Sequence, residues 1–332
     1  MTKSASRKAR SAVGTLVAAI VLSVILTFSK ASATEHVTLG YGSADAIYGP
    51  WFYAQDKGFF ARHGLDSTLV FFDSGTKGVQ ALVGKAVDIM CADGNALMNA
   101  KLAGLNVVFV GTTMGHLTGN VYSAKDITAP AQLKGKKWGI SSFGSEADFA
   151  ARLALKSFGL TESDVTLVQV GNQGNRFGAL EAGQIQVTTF LPPVSAKAEA
   201  AGYRKLAQLP DLAPDFFSVG PAVTSETLSQ RRPMVKAFLE ALAEATAAYK
   251  KDRGGGIAVI SKYLKSNEKD AAAAWDYYAP LAPIDLRPSP KSFQIYLERS
   301  TDPRAKNATI NDFFDLSIVN ELEKEGFLKK LM

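Results

Sequence analysis

The chain has one cysteine, Cys91, and only three histidines, His36, His63 and His116, dispersed along 332 residues. A lone thiol excludes an intramolecular disulfide, and three scattered imidazoles supply no metal-ligand spacing, so neither a metal nor a cofactor is expected. No Gly-x-Ser-x-Gly elbow and no Ser/His/Asp assignment emerges, and no spacing of carboxylates marks an acid–base pair, which reads as a protein that is not an enzyme. A Lys/Arg-rich run is also missing. The formal net charge of +6 comes from 37 basic and 31 acidic residues, but Lys3, Arg7, Lys8, Arg10 and Lys30 all fall in the first 33 residues, which hold no acid. The remainder is balanced at 32 basic against 31 acidic residues, or +1, and gives no electrostatic case for nucleic acid as a partner.

Long apolar runs are equally scarce. The one that exists, Ala12 to Phe28, follows four basic residues and precedes Ala31-Ser32-Ala33. That three-part pattern reads as a secretory signal over residues 1–33, cleaved after Ala33. An uncleaved anchor is the competing reading, because the run stands at the short edge of what spans a bilayer. No cysteine sits at the cleavage site, so a lipid anchor is not expected and the mature chain is read as a periplasmic monomer. The remaining residues, about 300 in number, suffice for a core without disulfides and favour two domains.

What is present is an internal echo. Gly64-Leu65, Thr68-Leu69-Val70, Ser74-Gly75-Thr76, Ala81-Leu82, Gly84 and Val87-Asp88-Ile89-Met90 are matched in order by Gly159-Leu160, Val165 to Val168, Gly171-Asn172-Gln173-Gly174, Ala179-Leu180, Gly183 and Ile185-Gln186-Val187. Each copy reads as strand, loop, helix, glycine stop and strand, since β-branched runs alternate with good helix formers. Two α/β lobes with a cleft between them follow. Val37 to Tyr41 and Trp138 to Ser141 are expected to open the two lobes as strands. Ser145 is expected to cap a helix over Glu146 to Phe158, and Val107 to Val110 to close the first lobe. Phe217 to Val223 is the expected return crossing, and from Pro233 onward the spacing of Val235, Phe238, Leu239, Leu242, Thr246 and Tyr249 is helical. Gly254-Gly255-Gly256 reads as a flexible joint between helices. The expected division is 36–114 with 222–332 in a discontinuous first lobe and 115–221 in the second.

Four segments are similar to one known group. Pro50 to Leu65, Ala81 to Ile89, Leu133 to Ile140 and Ala179 to Gly183, in this order behind a secretory signal, resemble the SsuA/THI5-like (NMT1-like) solute-binding proteins for sulfonates, taurine, nitrate and thiamine precursors. The resemblance spans about residues 37 to 250. It implies a type II, Venus-flytrap periplasmic binding protein of two α/β lobes joined by two crossing segments. Such a protein closes on a small solute and delivers it to an ABC permease and ATPase. It also leaves a sensor that presents its solute to a membrane receptor, and a pyrimidine-synthesis enzyme of the THI5 branch. The latter carries a cysteine-rich motif and works inside the cell, unlike a chain with one cysteine and an export signal.

Pairing the echoed loops sets 42–45 against 141–145, 74–76 against 171–173, and 93–95 against 191–193. Ligands of open α/β sheets bind at the carboxyl ends of strands, so the candidate ligand contacts are Ser43, Asp45, Ser74, Gly75, Thr76, Asp93, Asn95, Ser142, Ser145, Asn172 and Gln173, with His116 nearby. Ser74 and Ser145 precede helices, where capping and ligand binding are both open to them. Tyr48 and Trp51, with Phe143 and Phe190 opposite, are candidates for stacking on a flat ring. Asp45 and Asp93 fit poorly with a small oxyanion, since a carboxylate about 4 Å from one costs roughly 4 kcal/mol at an effective dielectric near 20. An amine-bearing or heterocyclic solute suits them better. A sulfonate-like oxyanion stays open because Lys77, His116 and Arg176 lie near other loops. The first lobe is expected to supply most charged contacts, and the second hydroxyl, amide and apolar ones.

Overall fold

The alternation of Val37, Leu39 and Tyr41 with polar or small residues forms strand β1 (Glu35–Tyr41), in which Val37 and Leu39 are fully buried and Tyr41 is half-buried. The structure is a computed structural model that describes residues 34–300 and 302–332; the expected secretory segment, 1–33, lies outside the described residues. The other strands are β2 (Leu65–Phe71), β3 (Ile89–Asp93), β4 (Val107–Phe109), β5 (Asn120–Ser123), β6 (Lys137–Ile140), β7 (Thr166–Gln169), β8 (Val187–Phe190), β9 (Arg204–Gln208) and β10 (Val219–Thr224). They form two sheets with matching order, β2-β1-β3-β10-β4 and β7-β6-β8-β5-β9. In each sheet the first three strands are parallel, and the fourth runs antiparallel to its neighbours. The antiparallel member is in both cases a strand that adjoins a crossing: β5 follows the outward passage and β10 follows the return. Strands β3 and β8 are buried throughout, as expected for central parallel strands covered on both faces.

The helices that position the site are α1 (Gly49–Asp56), α2 (Gly75–Val83), α3 (Gly94–Leu102), α4 (Glu146–Ser157) and α5 (Gln173–Glu181). Beyond β10 come α6 (Arg232–Lys251), α7 (Arg253–Leu264), α8 (Glu268–Tyr278), α9 (Gln294–Arg299) and α10 (Ser317–Lys324). Helices α6, α7, α8 and α10 share one core with β1 and α1, through residues such as Trp51, Phe238, Leu242, Ile260, Ala274 and Leu322. A second core runs from the opposite face of the first sheet into the second sheet, joined by Phe149, Phe216, Phe217, Phe293, Tyr296 and Phe313. Gly254-Gly255-Gly256 is no joint: these residues form the first turn of α7, capped by Asp252, which accepts the Gly255 N–H at 2.9 Å. The echo also shifts by one residue at its helix stop. Lys85 (φ 59°) in the first copy occupies the left-handed place held by Gly183 (φ 67°) in the second, so Gly84 is not the counterpart of Gly183.

Candidate functional site

The loops that follow the parallel strands converge on a small cavity of about 60 Å³, lined from the first sheet's side by Ser43, Asp45, Tyr48, Asp73, Gly75 and Asp93. From the second sheet's side come Ser145, Glu146, Asn172, Gln173, Arg176, Thr189 and Leu191, with Thr118 from the outward crossing. Local sequence explains the convergence, because each loop ends in a helix cap. Asp45 accepts the Ile47 N–H at 2.9 Å, Ser74 that of Lys77 at 3.3 Å, and Asp93 that of Ala96 at 2.7 Å. Ser145 accepts the Asp148 N–H at 3.4 Å and Asn172 that of Asn175 at 3.1 Å. A side chain that turns back to cap its own helix is held at the strand's carboxyl end, where the cavity lies.

The cavity is acidic, and Asp45, Asp93 and Arg176 in its lining are buried. Burial pushes both Asp45 and Asp93 up to about 6, against the hydrogen bonds each accepts as a cap. Burial, reinforced by the charges of Asp93 and Asp45, pushes Glu146 up to about 8, although the Ser218 hydroxyl donates to its Oε2 at 2.6 Å. Burial lowers Arg176 to about 10, opposed by the charge of Asp45. The Arg176 Nη1 donates to the Thr188 hydroxyl at 3.2 Å and to the Thr189 carbonyl and hydroxyl at 2.7 and 3.1 Å. Around neutral pH, Asp45 and Asp93 are largely ionised, Glu146 largely protonated and Arg176 cationic. These four groups sum to a charge near −1, and Asp73, the remaining lining acid, is paired with Lys77 at 2.8 Å, so the site suits a cation better than an anion. Helix amino ends at α2, α3, α4 and α5 favour negative charge, but each supplies only about half a charge and is already met by its cap.

Two buried polar atoms here have no protein partner, Gln173 Nε2 and Arg176 Nε. Gln173 Oε1, by contrast, accepts the Leu191 N–H at 2.6 Å, so that amide is oriented with its donor left over. Orphaned donors beside acidic oxygens describe a surface able to hold a molecule with both donors and acceptors.

Of the residues singled out in sequence, Ser43, Asp45, Tyr48, Gly75, Asp93, Ser145, Asn172 and Gln173 line this cavity. Thr76 and Asn95 instead bridge the two sheets' loops: Thr76 Oγ1 donates to the Phe143 carbonyl at 3.2 Å, and Asn95 Nδ2 to those of Gly144 at 2.9 Å and Ser145 at 3.3 Å. Loops 74–76 and 93–95 thus both meet 143–145, which departs from the loop pairing expected from the echo. Ser74 is a buried cap beside the cavity, and Ser142 is buried with its hydroxyl unpartnered. Three expectations are corrected. Trp51 is fully buried, donating to Thr113 Oγ1 at 3.2 Å and packing on Phe238, because α1 turns that face into the first core. Phe190 is fully buried against Tyr122 and Phe177. His116 is exposed and outside the cavity lining. With Phe143 also outside that lining and 49 % exposed, no aromatic sandwich spans the cleft.

Glu146, Arg176, Thr118 and Thr189 escaped the sequence reading as contacts. Arg176 had one visible signal: it stands in α5 where α2 has Gly78, a charged residue at an inward position of the echo. The charge division also differs from expectation, since the second sheet's loops supply Glu146 and Arg176. A larger, open groove of about 1060 Å³ lies along α4 and the 296–304 segment, but its Arg152 and Arg304 are already paired with Asp148 and Asp302.

Two matching sheets joined by two crossings, with a polar cavity at their strand ends, define the two-lobed periplasmic-binding-protein class of fold. The family model described as NMT1/THI5 like matches residues 47–253, more than half of the chain. The chain belongs to that family. A Brucella abortus (strain 2308) protein, provisionally named a binding protein, is 26% identical over 220 residues, 64% of this chain and 66% of that protein. The match thus spans just under two thirds of that relative's length. Among solved structures, the alkanesulfonate-binding protein SsuA from Xanthomonas axonopodis pv. citri, bound to MOPS, has a TM-score of 0.69 at 19% identity, covering 81% of this chain and 93% of that one. A ligand-binding component of an ABC-type import system from Staphylococcus aureus, solved with zinc bound, has a TM-score of 0.70 at 15% identity, covering 86% and 98%. The desulfurization enzyme DszB shares the fold, with a TM-score of 0.62 at 15% identity over 88% and 99%. The fold therefore accommodates both binding proteins and an enzyme.

Proposed function

We propose that this protein is an exported solute-binding protein that captures one small nitrogen-bearing organic solute in the interlobe cleft and delivers it to an ABC-type importer. The observation that carries the reading is the cavity's content: four carboxyl groups, Asp45, Asp93, Glu146 and an Asp73 paired with Lys77, against one lining guanidinium, Arg176, whose Nη1 is already engaged. A small oxyanion in this cavity would meet repulsion of roughly 4 kcal/mol per ionised carboxylate at about 4 Å, about half the binding free energy of a micromolar ligand. An amine, amidine or amino-heterocycle meets attraction instead. The cavity lining holds no histidine and no cysteine, and the buried Cys91 thiol is pushed well above its ordinary range, which supports binding over nucleophilic catalysis. Family membership and the secretory pattern of residues 1–33 support export to the periplasm and the importer as partner.

A thermal-shift panel tests the reading. Small ammonium, amidinium and aminopyrimidine solutes are expected to raise the melting temperature; a ligand at 100 times its dissociation constant adds about 2.7 kcal/mol. Alkanesulfonates that carry no amine, and nitrate, are expected to leave it unmoved. Stabilisation by the anions alone, or by nothing on the panel, overturns the proposal.

A further inference from the structure

The cleft's acids are not equivalent, and two of them enter one cavity from opposite lobes. Asp93 enters from the end of β3, fixed by the Ala96 N–H at 2.7 Å and by the backbone N–H of Glu146 itself. Glu146 enters from the first turn of α4, with its Oε2 held by the Ser218 hydroxyl at 2.6 Å. Both line the same cavity of about 60 Å³, and among the described residues its only cationic lining group is Arg176. Its Nη1 is turned to Thr188 and Thr189. With the Asp93 carboxyl beside the Glu146 backbone and both buried carboxyl groups lining one small cavity, ionisation of either disfavours ionisation of the other.

We infer that Asp93 and Glu146 share one proton across the lobe interface, and that an ammonium or amidinium group captured between the lobes takes the place of that proton, which leaves to solvent. This rests on the reading of the cleft as a site for a nitrogen-bearing solute. The exchange balances as one cation in and one proton out, with only an O–H bond broken. Two unpartnered polar atoms mark a built site and not merely an acidic patch. Gln173 Nε2 and Arg176 Nε line the cavity on residues that are at least 97 % buried. Both are obligate donors, so the solute's far end offers acceptors.

The other titratable groups around the pair are Asp45, Asp73 in its ion pair with Lys77, Arg176, Tyr48, Tyr278 and Tyr296. Burial holds all three tyrosines well above their usual range, so they stay neutral, and Asp45 with Arg176 sets the local field. The positions of the pair, about 8 for Glu146 and about 6 for Asp93, place the shared proton mainly on Glu146 at neutral pH.

Carboxyl-carbon NMR of the free, ¹³C-labelled protein tests the shared proton without any ligand. The Glu146 resonance is expected to titrate near pH 8 and to move toward the ordinary glutamate range in D93N, with E146Q confirming its assignment. A wild-type Glu146 that titrates in the ordinary range, or a midpoint unmoved in D93N, overturns the inference. Circular dichroism establishes that each variant folds, and the wild-type titration stands without them. Calorimetry with methylguanidinium in phosphate and in Tris at pH 7 tests the exchange. Wild type is expected to release up to one proton per cation bound, and D93N far less. Binding with no proton released overturns the exchange. Absence of binding overturns both the exchange and the cation reading of the cleft, and leaves the NMR titration to decide the shared proton separately.

Discussion

A methyl group on Gly75 would lie 1.6 Å from Asp93 Oδ2, so the absence of a side chain at the start of α2 is what lets the Asp93 carboxylate approach that helix. The contact links residue choice directly to the cavity: Ser74 caps α2, Gly75 clears the space, and Asp93 fills it. G75A is expected to lower stability by about 1–3 kcal/mol, because the obstruction is a buried carboxylate fixed by its own cap. It should also weaken any cation found on the solute panel, since Asp93 must turn away. Urea denaturation checks the first and thermal shift the second; wild-type stability in G75A would refute the close approach. At this scale Asp45 and Asp93 were legible because an acid between a strand and a helix is a candidate cap or contact, and here each caps its helix and lines the cavity. Glu146 was not legible. One position past the Ser145 cap, it has the acid that any first helical turn favours, and only the burial produced by the opposite lobe makes it unusual.

Among elements, the echo predicted the order strand, helix, strand in both halves, since period and glycine placement are local properties. It failed where tertiary contact overrides local preference. Three consecutive glycines argue for a break, yet Gly254 to Gly256 are helical because Asp252 caps them and because α7 lies against α8 at Gly256. A Cβ on Gly256 would stand 2.1 Å from Trp275 Nε1, a clash that requires the indole or α8 itself to shift. G256A thus sets a gain in helix propensity of about 1 kcal/mol against overpacking of about 1–3 kcal/mol. The expected balance is net destabilisation in urea; net stabilisation would mean that Trp275 yields readily. Gly183 gives the opposite case. Its added Cβ meets nothing within 4 Å, so the left-handed backbone alone resists substitution. G183A is expected to cost about 1–2 kcal/mol by the same measurement, and an unchanged midpoint would contradict that backbone geometry.

Across the whole molecule, the aromatic seam of Phe149, Phe216, Phe217, Phe293 and Tyr296 and the bridges from Thr76 and Asn95 bring the lobes' carboxyl groups together, which no reading of separate segments could foresee. Their meeting sets how stability responds to pH. Asp45 and Asp93 at about 6 and Glu146 at about 8 all lie above their ordinary positions of 3.8 and 4.5, so the folded state binds protons more tightly than the unfolded one. Their contribution is fully present below about pH 4 and is lost as pH rises through 6 and then 8. Acids held low, such as Asp302 at about 2 beside Arg304, act in the opposite sense and lose their contribution only as pH falls below about 4. The melting temperature of the free protein is therefore expected to peak at mildly acidic pH and to fall between pH 5 and 8. E146Q should flatten the upper part of that fall, because a neutral amide has no proton to lose. Differential scanning calorimetry across this range decides the matter: a melting temperature that is level or rising from pH 5 to 8 would show that the three carboxyl groups do not meet in a buried cleft.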